Sequence, residues 1–181
     1  LGIHTSNTVD LAFDDVRVQA DAVLGAEGAG LTQALTTLTS GRIGIAAQAT
    51  GILAACLDAS IVFAKDRTAF GKPIGAFEGV SFKIAQMATD LDAARYTSNR
   101  AAAFADAGRS FIAEASKAKL FASTKAREHA SNALQIHGGY GYTTEFAVER
   151  YYRDAKITEI YEGTSEIQQL VIARGLIGRL D

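Results

Sequence analysis

The chain has 181 residues, of which 48% are hydrophobic, so it can bury the core of an ordinary domain and is not a disordered chain. Its net charge of −2, with acidic and basic residues interspersed, provides no basic field for nucleic acid. The single cysteine, Cys56, excludes an internal disulfide, and no unbroken apolar run reaches the ~18 residues of a membrane span.

The first two dozen residues predict two short β-strands. Val9, Leu11 and Phe13 alternate with polar or small residues, and Val16 and Val18 resume the alternation after a turn. A period of two residues is typical of strands. Because the chain begins within this pattern and without a methionine, we expect it to be a piece of a longer protein.

From Gly25 onward the sequence predicts helices, because alanine is abundant and proline occurs once. A first long helix is expected to end near Arg67. The second is indicated by apolar residues that recur every three or four positions, as on one face of an amphipathic helix. These residues are Phe77, Val80, Ile84, Met87, Leu91 and Ala94.

A third helix is predicted from an N-cap at Ser110 to a stop at Gly138-Gly139. After a short fourth helix, Ser165 and Gln168 have the spacing of a capping box, which predicts the start of a last one. Three long helices and a short terminal pair, joined by short connections, favour a mostly α fold. We expect an antiparallel, four-helix-bundle-like, up-and-down domain at residues 25–181, preceded by the short strands.

The turn between the last two helices is a candidate catalytic site. Glu162 precedes Gly163 and a helix start, where free backbone N–H groups can bind a polarised oxygen. A carboxylate beside such donors suits proton abstraction next to a carbonyl. On spacing alone, a solvated loop carboxylate is the more common case, so both interpretations stay open.

Three further segments combine glycine with charged or aromatic residues. Residues 135–142 offer a smooth, glycine-rich backbone for a flat ligand, or simply a helix stop. Residues 66–73 are a polar loop or a pyrophosphate site, since the Arg67 guanidinium matches phosphate oxygens. Residues 39–42 place Gly41 within a helix, at a cost of about 1 kcal/mol relative to alanine, which implies a packing or ligand reason. The three histidines lack metal-ligand spacing, so no metal site is predicted.

In this order and spacing, the motifs resemble the acyl-CoA dehydrogenase family over essentially the whole chain. The set consists of Arg67-x-x-Phe70-Gly71-x-Pro73, Gln135-x-x-Gly138-Gly139-x-Gly141-Tyr142 and Tyr161-Glu162-Gly163-Thr164. The resemblance implies that residues 1–24 are the tail end of the family's middle β-domain and residues 25–181 its C-terminal helical domain. It also implies FAD-dependent α,β-desaturation of an acyl-CoA, in which a glutamate removes the α-proton and a β-hydride passes to the flavin.

The resemblance implies a role for each matching residue. Glu162 matches the catalytic base. Substrate-binding positions are matched by Thr39, Ser40, Gly41, Arg42, Tyr161 and Gly163. Cofactor-binding positions are matched by Arg67, Phe70, Glu78, Gln135, Ile136, His137, Gly138, Gly139, Thr164, Ser165 and Glu166.

Three departures from the family pattern refine the prediction. Glu78 stands where glutamine is common, and a carboxylate is unfavourable beside FAD phosphates. Thr39 stands where an acidic residue is frequent on the CoA side. Gly41 stands where isovaleryl-type and long-chain members carry the base, and glycine cannot abstract a proton. The sequence of residues 41–46 looks most like that of short-chain or short branched-chain members, which again favours Glu162 as the base.

The family resemblance also implies partners and alternatives. It implies a homotetramer or dimer of dimers that passes electrons to an electron-transfer flavoprotein, without nucleic acid or a membrane span. The implied location is the cytoplasm of a bacterium or the mitochondrial matrix of a eukaryote. The alternatives are an oxidase relative that uses oxygen and, for this chain alone, a non-catalytic helical oligomerisation module. Because much of the family's flavin and acyl pocket lies in other domains, we expect the isolated chain to be inactive.

Overall fold

The computed structural model describes residues 1–178, and within them five helices form a bundle. The helices are α1 (Gly30–Asp66), α2 (Glu78–Asp106), α3 (Ile112–His137), α4 (Val148–Ile157) and α5 (Ser165–Ile177). A hairpin of two short antiparallel strands, β1 (Thr68–Ala69) and β2 (Lys72–Pro73), joins α1 to α2. Single 3-10 turns lie at Ala20–Ala22, Ile74–Ala76 and Gly138–Tyr142. The mostly α fold is confirmed; the last three residues of the predicted domain lie outside the described part.

The core of the bundle is built around α3, which contacts each of the other four helices. Its buried face is a stripe of small side chains spaced by three or four residues. These are Ala115, Ala118, Ala122, Ala126, Ala130 and Ala133. Alanine lets the backbones of two helices approach closely, so a long side chain on this face reaches across to its neighbours. The stripe predicted on α2 is confirmed in its C-terminal half, where Met87, Leu91 and Ala94 are buried.

Helix α1 forms the other half of the core. Among the described residues it holds the one stretch that is long and apolar enough to pass for a membrane span. The stretch meets an averaged hydropathy test, which tolerates isolated polar residues, although no unbroken apolar run reaches about 18 residues. In the bundle, Ala49, Leu53 and Cys56 of α1 are fully buried against other helices. Burial raises the pKa of the Cys56 thiol to about 12, so this cysteine is a small core residue.

Residues 1–24 contain no β-strand, so the two strands predicted there are not formed. Val9, Leu11 and Phe13 are exposed, and no strand within residues 1–178 pairs with them. An alternating pattern needs a hydrogen-bonded neighbour, and an isolated two-stranded ribbon is only marginally stable in water. The segment instead attaches to α4, where the Asp154 carboxylate accepts a hydrogen bond from the Ile3 N–H at 2.6 Å.

Two predicted helix caps also differ from the structure. Phe111 rather than Ser110 is the N-cap of α3, and Thr164 rather than Ser165 is the N-cap of α5. Gln168 does not complete a capping box. Its side-chain amide donates instead to the carbonyl oxygens of the preceding turn. Those carbonyls are partly buried, and an unpaired buried acceptor costs more than an unpaired group at a solvated helix end.

Candidate active site

The turn between α4 and α5 carries a carboxylate in a backbone conformation that is uncommon for its residue type. Glu162 has φ +56° and Gly163 has φ +92°. A left-handed conformation costs roughly 1–2 kcal/mol for a residue with a Cβ, whereas glycine adopts it freely. Strained residues of this kind concentrate at functional sites. The backbone therefore marks Glu162 independently of any sequence motif.

The Glu162 carboxylate lies directly against Gly41 of α1. A Cβ atom at position 41 would stand 2.5 Å from Glu162 Oε2 and 2.8 Å from its carboxyl carbon, closer than real Cβ atoms approach. The missing side chain at Gly41 thus leaves the space that the carboxylate occupies, which is a packing reason for a glycine within this helix. At Gly44 and Gly51 on the same helix, a Cβ atom would meet no other atom within 4 Å. Only Gly41 is explained by contact with the turn.

Arg42 and Glu162 are incompletely paired buried groups. Arg42 donates through Nη1 to Ser116 Oγ at 3.3 Å, but Arg42 Nε and Glu162 Oε2 are buried without a hydrogen-bond partner. Burial lowers the pKa of Arg42, and the negative charge of Glu162 opposes that shift. Each unpaired buried polar atom costs about 1–3 kcal/mol, so such atoms call for a functional explanation.

The substrate-side residues predicted from the resemblance divide into two groups. Tyr161 joins the turn to α1, because its hydroxyl donates to Gln48 Oε1; burial raises the pKa of this tyrosine. Thr39 uses its hydroxyl within its own helix, where it donates to the Leu35 carbonyl at 3.1 Å, and Ser40 is exposed. The structure therefore gathers Gly41, Arg42, Tyr161 and Gly163 around Glu162.

Four polar residues beside the turn were not predicted as site residues: Gln48, Ser116, Lys119 and Gln168. Lys119 is fully buried on α3 and donates from Nζ to the Gly163 carbonyl at 2.8 Å. A signal for it was present, since it lies four residues after Ala115 and three before Ala122 on the buried alanine stripe. A lysine at such a position points inward and needs a partner.

A cleft of about 510 Å³ brings two of the predicted cofactor segments together. Arg67 lies on one side and the segment from Ile136 to Tyr140 on the other. The Arg67 guanidinium stands 5.3 Å from the centre of the Tyr140 ring and takes part in none of the ion pairs found within residues 1–178. Gly138 and Gly139 have no atom within 4 Å on their Cβ side, so their backbone is open to a flat ligand.

His137 forms one wall of this cleft. Its ring stacks on Phe63 with 4.2 Å between the ring centres, and its Nδ1 lies 2.8 Å from the Ala133 carbonyl, which places a proton on Nδ1. Burial lowers the pKa of His137, against the smaller opposing effect of that hydrogen bond. The ring is consequently neutral near pH 7 and contributes shape and a fixed orientation rather than charge.

The other predicted cofactor residues do not line this cleft. Phe70 is 95% exposed at the tip of the β1–β2 hairpin, and Glu78 and Gln135 are exposed as well. Residues 164–166 begin α5 beside a polar cleft of about 380 Å³ that Arg127 and Lys156 also line. Within residues 1–178, no group of three His, Cys, Asp or Glu side chains is arranged to hold a metal ion.

Comparison with known proteins gives one consistent family. A family model described as "Acyl-CoA dehydrogenase, C-terminal domain" matches residues 28–177. A probable acyl-CoA dehydrogenase of Bacillus subtilis (strain 168) is 51% identical over 177 residues, which cover 98% of this chain and 47% of that protein. The mitochondrial short-chain specific acyl-CoA dehydrogenase of Homo sapiens is 50% identical over 177 residues, covering 98% and 43%.

A solved structure agrees with these relatives. Butyryl-CoA dehydrogenase from Megasphaera elsdenii is 47% identical and superposes with a TM-score of 0.95, covering 97% of this chain and 46% of that one. The chain spans about half the length of the curated relatives that it matches.

Proposed function

Since this chain belongs to the acyl-CoA dehydrogenase family, we propose that the protein containing it is an FAD-dependent acyl-CoA dehydrogenase that desaturates a short-chain acyl-CoA. The observation that carries the proposal is the placement of Glu162. Its carboxylate is held by a strained turn against Gly41, with one oxygen buried and free of hydrogen bonds. Such an oxygen can accept a proton without first releasing another partner.

In the proposed reaction, Glu162 takes a proton from the carbon next to the thioester carbonyl and becomes a carboxylic acid. That proton is weakly acidic, so hydrogen-bond donors have to polarise the carbonyl at the same time. Gly41 leaves room for the carboxylate against α1, and the charge of Arg42 acts on the carboxylate from the same helix. FAD, when bound, supplies the acceptor for the hydride that leaves the neighbouring carbon.

The residues present fit FAD as a ligand. Arg67 would bind phosphate oxygens, because its guanidinium lies at the cleft without an acidic partner in the described chain. Gly138 and Gly139 would lie against a flat ring system, since their open backbone allows close approach. Residues 164–166 would contribute the N–H groups at the start of α5, which favour anionic or polarised oxygens. We propose that Phe70, Glu78 and Gln135 complete this binding surface from its exposed rim.

The test is to replace Glu162 with glutamine in the full-length protein and to follow flavin bleaching by butyryl-CoA without oxygen. Glutamine keeps the size of the side chain but cannot act as a base. A positioned general base contributes about 10²–10⁴-fold, so the rate constant for reduction should fall by at least about 100-fold. Glu145→Gln, which removes an exposed carboxylate from the α3–α4 connection, is the matched control. Bleaching of Glu162→Gln at the wild-type rate would refute the proposal.

We propose an electron-transfer flavoprotein as electron acceptor and a cytoplasmic or mitochondrial-matrix location, according to the source. Rapid formation of hydrogen peroxide from acyl-CoA in air would instead identify an oxidase. A panel of acyl-CoA lengths tests the short-chain assignment, which the similarity to short-chain specific relatives supports. Fastest reduction by a long-chain substrate would contradict it.

For the chain on its own, we propose a helical module that self-associates without catalysis. Large apolar side chains are exposed on several helices, among them Leu31, Leu35, Phe82 and Leu176. Exposed apolar surface of this extent is typical of protein–protein contact. A colourless, inactive and oligomeric preparation of residues 1–181 is the expected result, and a yellow, active one would contradict it.

A further inference from the structure

The largest fully buried side chain in the described part of the chain is a lysine outside the predicted site. Lys119 lies in the middle of α3 and is 0% exposed. Lysine is almost never fully buried unless it is paired, because moving an ammonium group out of water is unfavourable. Its direct partner is the carbonyl oxygen of Gly163, 2.8 Å from Nζ. A buried cation is thus directed at the backbone of the turn that carries Glu162.

Four charged groups act on Lys119 from the elements packed around it. Arg42 faces it from α1, Glu159 and Glu162 from the α4–α5 connection, and Glu166 from α5. Burial, followed by repulsion from Arg42, lowers the pKa of Lys119 to about 8, while the three glutamates oppose the shift. None of these groups forms an ion pair with Lys119 within residues 1–178, so the Gly163 carbonyl is its one direct polar contact there.

The Gly163 carbonyl accepts a second hydrogen bond, from the buried side chain of Gln168. Gln168 Nε2 lies 2.8 Å from the main-chain carbonyl oxygen of Gly163 and 3.2 Å from the main-chain carbonyl oxygen of Glu162. Two donors on two different helices, α3 and α5, therefore hold two consecutive left-handed residues. Rotation of the peptide between Gly163 and the next residue would break the bonds to both donors. The preceding peptide, between Glu162 and Gly163, flanks the Glu162 Cα directly, and its carbonyl accepts from Gln168. The direction in which the Glu162 side chain leaves the backbone therefore depends on how this turn is held.

We propose that Lys119 is a positioning residue for the reaction proposed above, in which its hydrogen bond to the Gly163 carbonyl keeps the Glu162 carboxylate against Gly41. The inference rests on the proposed function. Stability alone gives no reason for a lysine here. Methionine would fill a similar volume without a buried charge, and Gln168 would still satisfy the carbonyl. What methionine cannot supply is the bond that joins α3 to the turn.

The experiment uses the full-length holoenzyme with Lys119→Met. The first readout is the rate constant of flavin reduction by butyryl-CoA, expressed per bound flavin. A displacement of the base by about 1 Å costs on the order of 10²-fold, so we expect a decrease of about 10- to 100-fold. The affinity for butyryl-CoA and the unfolding temperature should stay at or above the wild-type values. The second readout is hydrogen–deuterium exchange of the peptide covering residues 160–166, which should become faster.

Ser123→Ala is the matched control, because Ser123 is fully buried one turn further along α3 and bonds only to the Leu120 carbonyl of its own helix. It should retain the wild-type rate and exchange. If Lys119→Met does not fold, Gln168→Leu removes the other donor to the same carbonyl and should slow reduction per flavin in the same way.

The outcomes separate this inference from the proposed function. A wild-type flavin that no acyl-CoA reduces would refute the proposed function, while the exchange data would still report on the turn. A wild-type rate per flavin in Lys119→Met or in Gln168→Leu, with unchanged exchange at residues 160–166, would overturn the positioning role. Loss of flavin or a lower unfolding temperature without a change in the rate per flavin would likewise overturn it, since that is what a purely structural residue produces.

Discussion

Replacing Gly41 with alanine tests the contact between α1 and the Glu162 carboxylate. The new Cβ would stand 2.5 Å from Oε2, whereas ordinary contact begins at 3.4 Å, so the oxygen has to retreat by about 0.9 Å. The carboxylate is the far end of a flexible side chain, and it will move before the backbone of α1 does. A misplacement of about 1 Å at a reacting group costs on the order of 10²-fold, or about 2.7 kcal/mol in the activation free energy.

The same substitution acts on stability in the opposite direction. Alanine is favoured over glycine in a helix interior by roughly 0.5–1 kcal/mol. Gly41 lies well inside α1, so the unfolding temperature of the variant should stay equal or rise slightly. Loss of activity together with retained or improved stability would identify a local geometric effect rather than a folding defect.

The assay is flavin reduction by butyryl-CoA in the full-length protein, with a thermal melt of the same preparation. Gly44→Ala is the matched control, because position 44 lies on the same helix and has no atom within 4 Å of the added methyl group. It should gain the same stability and keep the wild-type rate. If the flavin of Gly41→Ala is also reduced at the wild-type rate, the Glu162 carboxylate does not abstract the proton from its position against Gly41.

Two further predictions concern the turn and the cleft. Gly163→Ala should destabilise the protein by about 1–3 kcal/mol, because residue 163 has φ +92° and the new Cβ would stand 2.8 Å from Gln168 Nε2. Equal urea midpoints for the variant and the wild type would contradict this prediction. His137 should make stability fall with acid, since burial lowers its pKa below the ordinary 6.5 and the unfolded chain then binds more protons than the folded one. The stability that depends on a neutral His137 is complete above pH 6.5 and is lost as pH falls through the lowered pKa. The urea midpoint of His137→Phe should therefore decline less steeply than that of the wild type between about pH 7 and pH 5. Identical slopes for the two proteins would rule this effect out.

The helices could be predicted from sequence because their signal is local and periodic. The apolar stripe from Phe77 to Ala94 recurs every three or four residues, and its C-terminal half on α2 is buried as predicted. The strand prediction at residues 9–18 had the right period but no partner strand in the described chain. The capping box predicted at Gln168 is not formed, because the side-chain amide of Gln168 donates to the partly buried carbonyl of Gly163 instead.

The candidate site was only partly predictable. Spacing cannot reveal that Gly41 and Glu162 touch, because they lie on different elements 121 positions apart in the numbering. The family resemblance gave positions 41 and 162 as the two alternative places for the base. The structure shows why a side chain at 41 and a glutamate at 162 exclude each other, since a Cβ at 41 would enter the space of the Glu162 carboxylate. The burial of Lys119 could have been predicted from its position on the alanine stripe. Its partner could not, because that partner is a backbone carbonyl, for which no sequence motif exists.

The central claim is that Glu162 is the base, and α-proton exchange tests it without hydride transfer. Acetyl-CoA has α-protons but no β-carbon, so in D2O the full-length wild-type holoenzyme should exchange these protons while its flavin stays oxidised. Glu162→Gln should bind the thioester and exchange its protons at least about 100-fold more slowly. Equal exchange rates in the two proteins, followed by NMR, would contradict the assignment of Glu162 as the base.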